Sequence, residues 1–299
     1  MTQGLGFENR RIARLYRGVP DEQVARLLQF RTAHPYRRVT IDGGDWEYID
    51  AGRGSMVILL LPGALGLAES SWQTIVHLAA RPGIRVISPS YAPTVTTVAE
   101  MIDGIAGILD HEGVSLARVM GGSAGGYFAQ VFVRRYRDRT ERLVISHAGP
   151  PDPEQGSKLS GSLCWLRLVP EGMMRALFRK RMEGLLAEGR AETALVRAHM
   201  SEIASFRLTK EGLMNLYRCL ADFHLHHVFS PQDLAAWGGD VQLILADDDP
   251  ATPLSVREEM TRLYPQARVH LFHGTGHTAS LLRQEEYFAV LDGFIAAGP

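Results

Sequence analysis

The stretch VMGGSAGGYFAQ, residues 119–130, decides how the chain folds. Four glycines surround a single serine, Ser123. The run "ARVMGG" (117–122) before it reads as an apolar strand, and "GGYFAQVFVRRY" (125–136) after it reads as a helix. G-x-S-x-G between a strand and a helix is the context of a nucleophile elbow, a sharp turn that lifts a serine hydroxyl clear of the backbone. Such a turn leaves room only for small residues two before and two after the serine, where neighbouring strands pass close. Gly121 and Gly125 meet that need, and Gly126 lets the helix pack tightly. Taken alone the motif has a second reading, because glycine-rich turns at a helix start also hold phosphate.

Outward from the elbow, strand and helix patterns alternate. On the N-terminal side, residues 20–34 read as a helix with Pro20 in its first turn and Val24, Leu27 and Leu28 on one face. "YRRVTI" (36–41) and "WEYIDAG" (46–52) read as strands joined by the turn "DGGD" (42–45). "MVILLL" (56–61) is wholly apolar, as expected of a strand covered on both faces. A helix (71–81), a strand (85–90), a helix (98–113), the elbow and a strand (142–148) follow. This order predicts an α/β fold with a mostly parallel sheet flanked by helices.

From 151 to 235 the pattern holds no strand. Helices are expected at 170–189, 191–206 and 209–227. Alternation resumes with "VQLILA" (241–246), a helix (255–265), "ARVHLF" (267–272) and a helix (284–297). The expected organisation is therefore a core in two parts, 1–150 and 236–299, with a helical cap, 151–235, inserted over the sheet's C-terminal edge. Open α/β sheets bind ligands at that edge.

Bulk properties narrow the function. The 299 residues are 45% apolar and 22% charged, with a formal net charge of −1. That balance gives no support to nucleic-acid or membrane-surface binding. The Arg-rich "RRYRDRTER" (134–142) is interrupted by acids and reads as a solvated face. Cys164 and Cys219 have no metal-ligand spacing. The first 18 residues contain no apolar signal-type run, and "MVILLLPGALGL" (56–67) is too short to span a bilayer. A cytoplasmic location is the expectation.

Two further loops carry chemistry. "LILADDDPATP" (243–253) is an apolar strand that ends in Asp247, Asp248 and Asp249. "HGTGHTASLL" (273–282) follows the next strand and sets His277 in a glycine-containing loop. Serine, acid and histidine thus fall in that order, each just past the end of an expected parallel strand.

These blocks resemble the α/β-hydrolase superfamily, and the resemblance covers essentially the whole chain. In the family's acid loop the acid directly precedes the first proline, which selects Asp249; "GTGHT" selects His277. The resemblance implies an acyl-enzyme on Ser123, with His277 as general base and Asp249 as its orienting acid. It also implies an oxyanion hole of two backbone N–H groups, Ala124 after the elbow and Ala64 in "PGALG" (62–66), where Pro62 stands in place of the family's usual histidine. "GGSAGGYFAQ" and "REEMTRLYPQARVHLFHGTGHT" are most similar to the maspardin branch, which is thought to lack a working histidine and to bind rather than cut. His277 departs from that pattern.

The expected activity is hydrolysis of small-molecule carboxylic esters, with lactones, macrolactones and thioesters as variants and no cofactor or metal required. The alternatives are a non-catalytic maspardin-like scaffold and a C–C hydrolase or lyase of the same fold. Candidates for substrate contact are Leu65, His147 and Trp165. Asp152 is an alternative acid. His224, His226 and His227 read as helix-end histidines rather than metal ligands. Trp165, Leu168, Met173, Met174, Phe178, Tyr217 and Phe223 make the cap apolar, with core packing and pocket lining left undivided.

Overall fold

The computed structural model describes residues 10–185 and 191–296. Its sheet has eight strands: β1 (Arg37–Ile41), β2 (Gly44–Gly52), β3 (Met56–Leu61), β4 (Ile84–Pro89), β5 (Ala117–Gly122), β6 (Thr140–Ser146), β7 (Asp240–Ala246) and β8 (Arg268–Phe272). They lie in the order β1-β2-β4-β3-β5-β6-β7-β8. Only the β1–β2 and β2–β4 pairings are antiparallel. The first hairpin turns on Asp42 and Gly43, both at positive φ, with Ile41 paired to Gly44. It is the tight two-residue form that suits strand twist, shorter than the expected turn over 42–45.

The helices are α1 (Arg10–Leu15), α2 (Asp21–Ala33), α3 (Trp72–Ala79), α4 (Val98–His111), α5 (Ala124–Arg135), α6 (Pro153–Leu166), α7 (Glu171–Glu183), α8 (Ala191–Glu202), α9 (Lys210–His226), α10 (Leu254–Leu263), α11 (Ala279–Leu282) and α12 (Gln284–Ala296). Of the expected elements, residues 1–9, the tail 186–189 of the 170–189 helix and residue 297 lie outside the described residues.

Side chains alternate across a strand, so a wholly apolar strand feeds two cores. Leu59 and Leu61 of β3 join Val119, Leu243 and Leu245 beneath α4, α5 and α10. Ile58 and Leu60 join Met120, Val144 and Ile244 beneath α2, α3 and α12. Each fully buried leucine or isoleucine contributes about 1.5–3 kcal/mol.

The cap is α6 to α9, inserted between β6 and β7. Helix α9 ties it down: Leu216, Cys219, Leu220 and Phe223 enter the main core, while Leu213 and Met214 join Met174, Phe178 and Ile203 in a cap cluster. Arg31 of α2 bridges Glu69 at 3.3 Å and Glu202 of α8 at 3.1 Å, a second tie between core and cap.

Helix α6 falls in a region with no expected helix. Its glycines, Gly156 and Gly161, weaken the pattern, and only Gly156 is buried. A Cβ on Gly156 would sit 2.7 Å from Leu225 Cγ, so the glycine is what lets α6 lie against α9. The start signal was nevertheless present: Asp152 caps the helix through Glu154 N and Pro153 takes its first position. The expected helix over 191–206 also differs, since α8 gives way to a π-turn at Ile203–Arg207.

Helix α5 comes close to the end of β3 at Gly125. A Cβ there would lie 2.2 Å from Leu61 O and 2.7 Å from Pro62 O, both backbone atoms. Gly125→Ala is expected to lower the unfolding free energy by about 1–3 kcal/mol, read from urea denaturation. An unchanged midpoint would contradict this close approach.

Candidate active site

Ser123 links β5 to α5 with φ 53° and ψ −124°. A non-glycine residue at such a positive φ is strained and persists only where its surroundings fix it. Here Ser123 N donates to Ser146 O at 2.8 Å, and Gly126 N donates to Ser123 O at 2.9 Å. Gly125 gives the clearance from a neighbouring strand that the sequence implies. Gly121 differs: a Cβ on it would meet Gly125 O at 2.1 Å, so it clears the elbow's own helix rather than a strand. A Cβ on Gly126 would fall 2.6 Å from Ala148 Cβ.

The loops after β7 and β8 bring the acid and histidine to this turn. His277 Nε2 lies 2.9 Å from Ser123 Oγ, and His277 Nδ1 lies 2.9 Å from Asp249 Oδ2. Asp249 is buried and also accepts from Ala251 N at 2.8 Å and Thr252 Oγ1 at 2.9 Å. Burial alone would raise its pKa. The hydrogen bond and charge of His277, with Ala251 and Thr252, outweigh burial and hold the carboxyl below its ordinary range.

The other two aspartates hold the histidine loop rather than the imidazole. Asp248 Oδ1 accepts from Thr275 N at 3.1 Å and Gly276 N at 2.8 Å. Asp247 accepts from Gly274 N at 3.2 Å and pairs with His273 Nδ1 at 2.6 Å. Sequence reasoning used these two only as rejected candidates for the acid. Three consecutive acids beside a loop rich in free N–H groups was the available signal.

Ala124 opens α5, where the first N–H groups of a helix have no intrahelical partner. Ala64 sits in the loop after β3. That loop runs beside the elbow, since a Cβ on Gly63 would lie 3.8 Å from Ser123 Cβ. Tyr91 donates to Pro62 O at 2.5 Å and Gly66 N to Gly63 O at 2.9 Å, which pins the loop.

Ser123 and His277 open on a cavity of about 190 Å³, also lined by Ser146, His147, Ser70, Gln73, Thr74, Ser280 and Tyr287. Apart from His147, no sequence signal marks this polar lining, because its residues come from four separate segments. His147 follows β6 at φ 52°, so the strand stops at Ser146 rather than running to 148. The imidazole is buried, and Nδ1 lies 2.8 Å from Ser146 Oγ. Burial, with the charge of His277 second, pushes its pKa down to about 4.

The structure does not bring Leu65 or Trp165 to this cavity. Leu65 packs against the cap cluster and lines a separate cleft of about 760 Å³ that does not include Ser123. Trp165 is 58% exposed and lines a cavity between cap helices with Phe178 and Met214. Leu168 and Met173 are exposed, while Met174, Phe178 and Phe223 are buried. Asp152 caps α6, and its N–H donates to His224 Nδ1 at 3.0 Å. Burial pushes His224 down to about 4, and His226 pairs with Asp222 at 2.7 Å.

No family model matches the chain. It is 29% identical over 276 residues to maspardin from Danio rerio, covering 86% of this chain and 81% of that protein. It is 26% identical over 277 residues to a 2-hydroxy-6-oxononadienedioate/2-hydroxy-6-oxononatrienedioate hydrolase from Burkholderia vietnamiensis, covering 84% and 92%. Among solved structures, an α/β-hydrolase-fold protein from Chitinophaga pinensis superposes with a TM-score of 0.68 at 14% identity, covering 89% and 98%.

His147 and His224 make folding sensitive to acid. The unfolded chain takes up these protons near the ordinary 6.5, the folded chain only near 4. Their contribution to stability is therefore whole above pH 6.5 and is lost as the pH falls toward 4. Urea midpoints are expected to fall across that window, and to fall less in His224→Gln. The same pH slope in both proteins would contradict this.

Proposed function

The chain belongs to the α/β-hydrolase superfamily, and from that premise we propose that it is a serine hydrolase that cleaves a carboxylic ester, lactone or thioester through an acyl-enzyme on Ser123. The observation that carries this reading is the hydrogen-bonded chain Ser123–His277–Asp249, 2.9 Å at each link, standing on a strained turn. A passive binding surface gives no reason to hold a serine in that conformation or to bury a carboxylate against its imidazole.

Each residue then has one task. His277 Nε2 takes the Ser123 proton as Oγ attacks the carbonyl carbon, and Asp249 steadies the imidazolium through Nδ1. The oxyanion of the tetrahedral intermediate accepts from the N–H groups of Ala124 and Ala64, each such donor worth about 2.7–4 kcal/mol. As the carbonyl re-forms, His277 protonates the leaving alcohol or thiol. Water then enters by the same route, with His277 again the base, and releases the acid.

A second reading is hydrolysis of a C–C bond in a hydroxy-oxo acid. It is favoured by the similarity to the Burkholderia hydrolase, whose name is that of such a substrate. The same residues would serve it. A substrate panel separates the two.

Turnover of p-nitrophenyl acyl esters, lactones, thioesters and a hydroxy-oxo dienedioate is the direct test. Ser123→Ala and His277→Ala are expected to reduce turnover to background, and Asp249→Asn to lower kcat about 10⁴-fold. Asp152→Asn is expected to stay near wild type; if it produced the large loss instead, the acid would be misassigned. A folded wild-type protein that turns over none of the panel would favour a binding scaffold.

A further inference from the structure

His147 is the second residue at this cavity held in a conformation that L side chains rarely adopt. Its φ of 52° nearly repeats the 53° of Ser123, and both sit at the C-terminal ends of adjacent strands. Each is fixed from the next strand along: Ser123 N donates to Ser146 O, and His147 N donates to Ile244 O, both at 2.8 Å. Strain kept at two neighbouring positions, both facing one cavity, points to a use for the second side chain as well as the first.

The imidazole has one nitrogen engaged and one free. Nδ1 lies 2.8 Å from Ser146 Oγ, whose hydroxyl also bonds to Tyr287. Nε2 is fully buried and has no hydrogen-bond partner among the described residues. A buried polar atom without a partner is costly unless something else meets it. The ring stands 5.6 Å, centre to centre, from that of His277 at 77°, and both rings line the cavity at Ser123.

Resting on the serine-hydrolase reading, we propose that His147 Nε2 is a specificity group that binds a neutral oxygen, a hydroxyl or a ketone carbonyl, on the part of the substrate next to the scissile bond. The lining supports a neutral group over a charged one. Ser70, Ser71, Gln73, Thr74 and Ser280 supply hydroxyls and an amide, and among the described lining residues there is no Asp, Glu, Lys or Arg. A substrate carboxylate would enter the cavity with no cation to pair with. His147 itself stays neutral at working pH, because burial disfavours its charged form, so it does not oppose the imidazolium on His277. The cavity, at about 190 Å³, suits a short substituent. A hydroxyl can satisfy either tautomer of His147, whereas a ketone needs the Nε2–H form.

The test compares p-nitrophenyl butyrate with its 3-hydroxy and 3-oxo forms. In parallel, propyl butyrate is compared with 2-hydroxypropyl butyrate for the alcohol side. Wild type is expected to favour the oxygenated ester in kcat/KM on one side. His147→Leu is expected to reduce that ratio at least tenfold, and His147→Gln, which keeps an amide, to restore part of it. Loss for the hydroxy but not the oxo ester would identify Nε2 as the acceptor. Asparagine tolerates a positive φ and is too short to reach, so His147→Asn gives the same readout if the leucine variant does not fold. A ratio unchanged in these variants, or no wild-type preference on either side, overturns the proposal and leaves Nε2 a buried nitrogen with no role in substrate choice. A wild type that cuts none of these esters, or whose turnover survives Ser123→Ala, would instead count against the serine-hydrolase reading.

Discussion

The backbone of Gly125 passes so close to the end of β3 that no side chain fits between them, and the position of Ser123 depends on this approach. With α5 pressed onto β3, the chain must reverse within one residue, and that residue takes φ 53°. Its hydroxyl then stands above the sheet, its N–H is held by Ser146, and the loop 62–66 is drawn alongside. The glycines therefore act as clearance, not flexibility. Gly121 and Gly125 sit where a single carbon would push apart two stretches of backbone, and Gly126 where it would meet Ala148 Cβ, while Gly122 has room for one.

A second dependence runs through the acid loop. Three adjacent carboxylates at a strand end repel one another unless each finds its own donor. Here each acid finds a donor among residues 273–277: two backbone N–H groups for Asp248, Gly274 N and His273 for Asp247, and His277 for Asp249, which accepts from Ala251 and Thr252 as well. The loop that bears the histidine is thus docked by the strand that bears the acid. The imidazole arrives within reach of Ser123 as a consequence of that docking, with its Asp249 partner already in place.

Much of this was legible in the chain. The wholly apolar strands, their alternation with helices and the interruption by a cap all follow from periodicity, because a strand covered on both faces has no polar side to show. Ser123, Asp249 and His277 were legible for a different reason: each lies just past a strand whose end the pattern marks. What escaped reading depends on contacts across the chain. Helix α6 was hidden because Gly156, which weakens its pattern, is there to admit Leu225. Trp165 and Leu65 looked alike as apolar residues near the site. Packing sends Leu65 into the cap cluster and leaves Trp165 exposed. His147 was visible as a histidine at a strand end, but its burial, its strained backbone and its free nitrogen are properties of three packed strands together.

The central claim is that Ser123 is a nucleophile. The most direct measurement is intact-mass and peptide mass spectrometry after brief exposure to a fluorophosphonate. A single adduct on Ser123 is expected, formed fast in wild type, much more slowly in His277→Ala and not at all in Ser123→Ala. A folded wild-type protein left unlabelled, or labelled at another residue, would contradict it.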